Sequence, residues 1–334
     1  MDARVSIPTH SLGRGGLQVT SLSFGGAVIG SLFREVSDHD ARGALQAAWD
    51  SGVRYFDTAP HYGLGLSEQR HGEFLASKKR SEYVVSTKVG RLIRPNPGYD
   101  GGLDDQGFAV SAKHHRVLDY SRDGTLASLE ESLERLGIDS VDIVYVHDPD
   151  EYEQDALEGA FPALEELRQQ GVIRSYGAGM NQSAMLTRFV ENTNLDVVMC
   201  AGRFSLLDQS AASDLLPLAK QRGVSVVAAG VFNSGILATD SPHASAHYDY
   251  APAPADLIER ATQLAVACAE LGYSLPQVAA QFPLLHPSVH SVCLGARNAA
   301  QASRNATLFE TEVPREVYAE LVNQGLLDPD VLAY

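Results

Sequence analysis

Four residues in the first half of the chain can do acid–base chemistry: Asp57, Tyr62, Lys88 and His147. Each ends or directly follows a short β-prone run. Asp57 closes Arg54-Tyr55-Phe56-Asp57, and Tyr62 stands in the turn that follows, Thr58-Ala59-Pro60-His61-Tyr62-Gly63. Lys88 closes Val84-Val85-Ser86-Thr87-Lys88, and His147 follows Val141-Asp142-Ile143-Val144-Tyr145-Val146. A carboxylate and a tyrosine in a Pro/Gly-bounded turn are poor core material and suit a site on a strand-to-helix loop. A free tyrosine, with a pKa near about 10, is a weak acid or base at neutral pH. A nearby ammonium lowers that pKa, and Lys88 is expected to supply it. Asp57 is expected to keep Lys88 charged and oriented, and His147 to orient a substrate oxygen. Together they form a tuned proton donor and acceptor for an oxygen atom. Each residue also has a structural reading: Asp57 as a loop cap, Lys88 as a solvated strand end, His147 as a satisfied core histidine. Their arrival at three successive strand ends argues for a shared site.

Strand and helix patterns alternate along the chain. Strands are expected at Leu22–Phe24, Val53–Phe56, Tyr83–Lys88, Val141–Val146, Ile173–Ala178, Val197–Ala201, Val224–Ala229 and Val289–Leu294. Helical spacing follows each of them. Ser37 or Asp38 caps the first helix, and Leu126, Leu129, Leu133 and Leu136 make one face of another, which Gly137 stops. Most of the strands are continuous apolar runs, as parallel strands buried on both faces should be. Eight such units read as an α/β fold of the (β/α)8 TIM-barrel type in a single domain over residues 1–334. That fold places its chemistry at the C-terminal ends of the strands. A doubly wound sheet is the alternative, but no GxGxxG follows a strand and opens a helix. The Gly-rich turn Gly13-Arg14-Gly15-Gly16 reads as an N-terminal β-hairpin, and an extra C-terminal helix runs from about Pro314 to Gln324. Residues 89–120 and 236–254 are expected to be irregular, and substrate contacts are expected from the loops at 89–120 and 232–252. His114 and His115 read as part of a solvated loop rather than as metal ligands.

The formal net charge of −16 opposes binding to nucleic acid or to an anionic membrane. No apolar stretch is long enough to span a bilayer, and Met1-Asp2-Ala3-Arg4 opens no signal-peptide core, so a cytoplasmic location is expected. Cys200, Cys268 and Cys293 each lie in apolar runs and read as buried reduced thiols. No Cys/His spacing suggests a metal.

The segments Asp57-Thr58-Ala59…Tyr62-Gly63, Ser86-Thr87-Lys88-Val89-Gly90 and His147 resemble the aldo-keto reductase superfamily over about residues 10–325. The resemblance implies that the hairpin plugs the barrel bottom. It also implies that Tyr62 is the general acid/base, with Asp57, Lys88 and His147 as its supporting partners. The cofactor implied is NADP or NAD. Asn181 matches the residue that bonds the nicotinamide carboxamide, and Phe204 stands where an aromatic stacks on that ring. Gly230, Phe232, Asn233, Gly235 and Leu237 match the loop over the pyrophosphate. Gly295, Arg297, Gln301 and Asn305 match the adenosine end, where an arginine at a helix N-terminus suits a phosphate. His61 is a candidate substrate contact, with a surface role as its alternative.

Three segments, His147-Asp148-Pro149-Asp150, Gly202-Arg203-Phe204 and Gly230-Val231-Phe232-Asn233-Ser234-Gly235-Ile236-Leu237, are similar to the subgroup of D-threo-aldose 1-dehydrogenases and the related pyridoxal 4-dehydrogenases. This implies oxidation of an aldose such as L-fucose, D-arabinose or L-galactose at C1 to the lactone. Pyridoxal 4-dehydrogenase or general aldehyde/ketone reductase activity is the alternative. A non-catalytic NADPH-binding regulatory subunit is a second class. A metal-dependent barrel hydrolase or isomerase is a third, but it would need His, Asp or Glu ligands at several strand ends, which the later strands here do not offer.

Overall fold

The computed structural model describes residues 7–249 and 251–333. The opening residues Met1 to Arg4 lie outside that description. Eight parallel strands close a barrel: β3 (Leu22–Gly25), β4 (Tyr55–Asp57), β5 (Val84–Val89), β8 (Ile143–His147), β9 (Ser175–Met180), β10 (Val197–Ala201), β11 (Ser225–Ala229) and β14 (Val289–Gly295). Each of the eight expected strands is present. β4 runs one residue further than its apolar pattern, carrying Asp57 into the ladder opposite Ser86.

The outer ring is built from α1 (Asp38–Asp50), α2 (Leu66–Leu75), α3 (Arg122–Leu136), α4 (Glu153–Asp155), α5 (Phe161–Gln169), α6 (Ser183–Asn192), α7 (Leu215–Arg222), α8 (Ala255–Glu270), α9 (Leu275–Gln281) and α10 (Ala299–Thr307). A C-terminal helix, α11 (Arg315–Asn323), follows. Local sequence sets their ends. The Ser37 hydroxyl accepts from the Asp40 amide, the Ser121 hydroxyl accepts from Gly124, and Gly137 ends α3 in the left-handed region.

Strand parity decides what faces inward, because alternate side chains point to opposite sides of a sheet. Phe56, Val85, Val144 and Val146 pack outward in the large core beneath the helices. Tyr55, Val84, Ile143, Tyr145, Val197, Met199 and Val227 fill the barrel interior with Leu12, Leu17 and Val19. Those last three belong to the hairpin β1 (Thr9–Leu12) and β2 (Leu17–Thr20). Its turn is tied to the start of β11 by Gly13 N–H donating to the Ser225 hydroxyl at 2.9 Å. The hairpin therefore closes the barrel at the N-terminal ends of the strands and leaves the other end open.

The two expected loops carry more order than their composition suggests. Within residues 89–120, β6 (Arg91–Pro95) pairs antiparallel with β7 (His114–Leu118). His114 is thus exposed on a hairpin strand rather than in a loop. Backbone bonds from Phe33 to Gly107 and from Ala109 to Ser31 fasten this insertion to the loop after β3. In the second insertion β12 (His247–Tyr248) pairs with β13 (Ala251–Pro252). Cys200, Cys268 and Cys293 are all buried free thiols, each pushed up to about 12 by burial. Among the described residues no helix is long and apolar enough to cross a membrane.

Candidate active site

The open end of the barrel holds a cleft of about 910 Å³. The parity that buries Tyr55 and Tyr145 also brings Asp57 and His147 inward, one layer nearer the mouth. Lys88 joins them from β5, two residues beyond inward-facing Ser86. Asp57, Tyr62, Lys88 and His147 all line the cleft, so the structure brings together all four residues expected at strand ends.

Lys88 and Asp57 form a buried ion pair, with Nζ 2.7 Å from Oδ2 and the side chains 1% and 2% exposed. The ammonium also donates to the Thr58 carbonyl at 3.0 Å. The other Asp57 oxygen accepts from the Ser86 hydroxyl at 2.7 Å. Burial pulls the Lys88 pKa down, but Asp57 and then Tyr62 outweigh it and hold the ammonium above its usual value. From the helix side, Thr87 donates to Glu68, which is fully buried and paired with Arg135. That contact pins the strand carrying Lys88.

Tyr62 lies in the turn after β4, with Lys88 Nζ 4.7 Å from its ring centroid. The turn packs tightly on the loop after β3: Gly63 has φ +65°, and a β-carbon there would collide with the Gly30 carbonyl. His147 stands edge-on to the Tyr62 ring, with centroids 5.6 Å apart. One expectation is corrected here. Lys88 does lower the Tyr62 pKa, but burial raises it more, and Asp57 and Asp148 add to the rise. The net shift is upward, so the phenol keeps its proton at neutral pH and is set as an acid.

Both nearby imidazoles are neutral. Burial, then Arg91, Arg116 and Lys88, push His61 down to about 2. Burial and Arg91 likewise hold His147 well below its ordinary value. His61 lines the cleft, stacked edge-on against Phe108 and His147, so its surface alternative is set aside.

The strand-end motifs give no role to a charged pair beside His147. Arg91 Nη2 donates to Asp148 Oδ2 at 2.9 Å, and that oxygen lies 3.5 Å from His147 Nε2. Burial raises the Asp148 pKa to about 6, against the opposing pull of Arg91. The sequence signal for the pair is adjacency: Asp148 follows His147, and Arg91 follows the Lys88-Val89-Gly90 turn.

The remaining candidates divide. Asn181, Gly230, Phe232, Asn233 and Gly235 border the cleft, as do Gly295, Arg297, Gln301 and Asn305. Phe204 does not. It is 3% exposed and packs in the core on Phe282, with ring centroids 4.9 Å apart. Gly202, with φ +74°, turns the chain there and leaves only backbone and Ala201 on the cleft side. Leu237 is also fully buried in the core. Neither is available to touch a cofactor.

The unpaired polar atoms of this cleft, one donor and one acceptor, suit a dinucleotide. Arg297 Nε and Asn233 Oδ1 are buried without a hydrogen-bond partner, and such atoms are costly unless a ligand satisfies them. Burial and the like charge of Arg34 depress the Arg297 pKa, which an anion would reverse. Gln301 accepts from the Arg297 amide at 2.8 Å and Asn305 donates to the Gly295 carbonyl at 3.0 Å, so both brace the loop ahead of α10. Arg304 and Leu308, which no sequence motif marks, border the same end.

A barrel with this tyrosine–lysine–aspartate–histidine group at its mouth is the architecture of a nicotinamide-dependent carbonyl oxidoreductase. The characteristic sequence pattern of the Aldo/keto reductase family matches residues 21–324, and the chain belongs to that family as an NAD(P)-dependent oxidoreductase. It is 46% identical over 315 residues to a D-threo-aldose 1-dehydrogenase from a Pseudomonas species, covering 93% of this chain and 96% of that protein. It is 41% identical to pyridoxal 4-dehydrogenase of Microbacterium luteolum, covering 95% of this chain and 97% of that one. Among solved structures, the holo form of an aldo-keto reductase from Bacillus halodurans superposes with a TM-score of 0.76 at 26% identity, covering 96% of this chain and 97% of that one.

Proposed function

We propose that the protein oxidises an aldose at C1 to the lactone, with Tyr62 exchanging the proton of the reacting oxygen. The observation that carries this reading is the Tyr62–Lys88–Asp57 group facing His147 at the cleft floor. The 46% identity to an aldose dehydrogenase supports the substrate class. Pyridoxal oxidation is the second reading, favoured by the 41% relative.

A bound NAD(P)+ supplies the hydride acceptor for the C1–H bond. Gly230, Phe232, Asn233, Gly235 and Asn181 would hold its central and nicotinamide parts, and Gly295, Arg297, Gln301 and Asn305 the other end. In oxidation the C1 hydroxyl gives its proton to the Tyr62 oxygen as the carbonyl forms. In reduction Tyr62 returns a proton to the nascent alkoxide, and Lys88 stabilises the tyrosinate left behind. Neutral His147 donates a hydrogen bond to the reacting oxygen without changing its own charge.

The sign of the Tyr62 shift fixes the pH response. Oxidation needs the phenolate, so log kcat/KM for the sugar should climb steadily from pH 7 to about 10. Reduction needs the phenol, present throughout, so its profile should be level over that range. Initial rates in both directions check this. A step near 7 in either profile would show that a group other than Tyr62 titrates, Asp148 being the cleft group raised nearest that range.

The substrate reading is tested by following NAD(P)+ reduction with L-fucose, D-arabinose, L- and D-galactose and pyridoxal. Turnover of pyridoxal with no aldose oxidised replaces the first reading by the second. For the nucleotide, Arg297→Ala should raise the KM for NADP at least about tenfold while moving that for NAD little, as expected for one lost charge-assisted phosphate contact. An unchanged preference ratio means that Arg297 holds the pyrophosphate common to both.

A further inference from the structure

Asp148, paired with Arg91, lines the cleft directly after His147 and is not a member of the acid–base group. Its backbone is unusual: φ is +42°, in the left-handed region that costs a non-glycine residue energy. The surroundings enforce it. Its amide donates to the Gly179 carbonyl at 3.1 Å, and its own carbonyl accepts from the Tyr120 hydroxyl at 2.9 Å. The same hydroxyl bonds the His147 carbonyl at 2.6 Å. Tyr120 is itself 1% exposed, so the conformation is clamped from behind by a buried side chain.

The result is a carboxylate turned toward the cleft. Arg91 holds Oδ2, and His147 Nε2 is nearby, whereas Oδ1 takes no hydrogen bond from any described residue. The side chain keeps 30% of its exposure, against 14% for Arg91. Arg91 is braced in turn, with Nη1 3.5 Å from His61 Nδ1. Asp148 follows directly after His147, and His147 faces the Tyr62 ring. Asp148, His147 and Tyr62 thus line one cleft, and Asp148 brings to it a carboxylate that Arg91 engages through Oδ2. Its charge opposes formation of the Tyr62 anion, so it does not assist the oxidation step. It is a strong acceptor for a substrate hydroxyl.

Resting on the aldose reading above, we propose that Asp148, held by Arg91, is a specificity-determining residue that accepts a hydrogen bond from the hydroxyl on the carbon next to the oxidised one. The occupant it selects is a 2-hydroxy aldehyde in hemiacetal form, in preference to carbonyl compounds without a neighbouring hydroxyl. Charge-assisted acceptance makes the contact stronger than a neutral one. Leaving the carboxylate unmatched when that hydroxyl is missing adds to the discrimination.

The test pairs the substrate hydroxyl with the side chain. Kinetics are measured for an aldose and its 2-deoxy counterpart with wild type, Asp148→Asn and Asp148→Gly. Asparagine and glycine both tolerate the left-handed backbone, so neither variant should perturb the loop. Wild type should prefer the aldose in kcat/KM by about ten- to a hundredfold, the worth of one charge-assisted bond. That ratio should collapse toward one in Asp148→Gly, mostly through KM for the aldose, with Asp148→Asn between. A ratio kept in both variants, even if both rates fall, overturns the proposal and leaves Asp148 as a brace for Arg91 and His147. A wild-type enzyme that oxidises neither sugar overturns the aldose reading and this proposal with it. One that oxidises both sugars equally overturns this proposal alone.

Discussion

Tyr62→Phe should lower kcat by about 10²- to 10⁴-fold, the usual worth of a positioned general acid or base. Its affinity for NAD(P)H, measured separately by fluorescence titration, should stay within about twofold. The substitution removes one oxygen and keeps the ring that packs against Phe108 and His147. Gly30 and Gly63 hold the backbone of the turn whatever the side chain. The residues proposed to hold the dinucleotide stand on other strand ends, so binding and chemistry are separable. No neighbouring side chain can replace the phenol. His147 and His61 are neutral and poor acids in this environment, and Lys88 is tied to Asp57. Turnover within about threefold of wild type would remove Tyr62 from the proton path. A solvent-mediated route would then be needed.

How legible this is in the sequence follows from periodicity. Parallel strands buried on both faces announce themselves as apolar runs, and all eight can be placed. Once a strand is placed, parity gives direction: Tyr55 and Asp57 share a face, as do Tyr145 and His147. The four acid–base candidates can therefore be found from strand ends alone. Loops have no such period. Phe204 follows Gly202, whose positive φ swings the chain and sends the ring into the core, and nothing in the local composition signals that turn. Leu237 is assigned by likeness to a loop, yet an apolar side chain has a buried destination available. The hairpin β6–β7 escapes pattern reading because its strands, Arg-Leu-Ile-Arg-Pro and His-His-Arg-Val-Leu, are rich in charge and do not alternate cleanly. The Tyr62 shift escapes it for a different reason. Sequence can name an ammonium partner, but the burial that outweighs it is a tertiary property, to which distant segments such as that of Phe108, whose ring lies near Tyr62, belong.

The buried Lys88–Asp57 pair yields the sharpest separation of stability from function. Lys88→Met leaves Asp57 at 2% exposure with the Ser86 hydroxyl but without its cation. Removing one partner of a buried pair typically costs about 3–5 kcal/mol, because the other charge is stranded or must be neutralised. Asp57→Asn strands the ammonium instead, with the Thr58 carbonyl as its other acceptor, and should cost a similar amount. The double variant Lys88→Met/Asp57→Asn strands no charge. An asparagine at position 57 can still accept from Ser86, and a methionine at position 88 fills the space of the lysine stem. Its loss should therefore be clearly smaller than either single loss, on the order of 1–2 kcal/mol. Urea unfolding at pH 7 measures all three. Activity should behave differently. In the proposed mechanism Tyr62 depends on Lys88 to stabilise its anion, and Lys88 on Asp57 for its charge and position. All three variants should therefore lose about a hundredfold or more in kcat, with no recovery in the double. If activity recovers along with stability, the pair serves the fold and its effect on Tyr62 is incidental. If stability losses simply add, the two charges are not coupled as their 2.7 Å separation requires. Recovery of stability without recovery of turnover is the outcome expected of an ion pair kept in the barrel for its effect on a tyrosine.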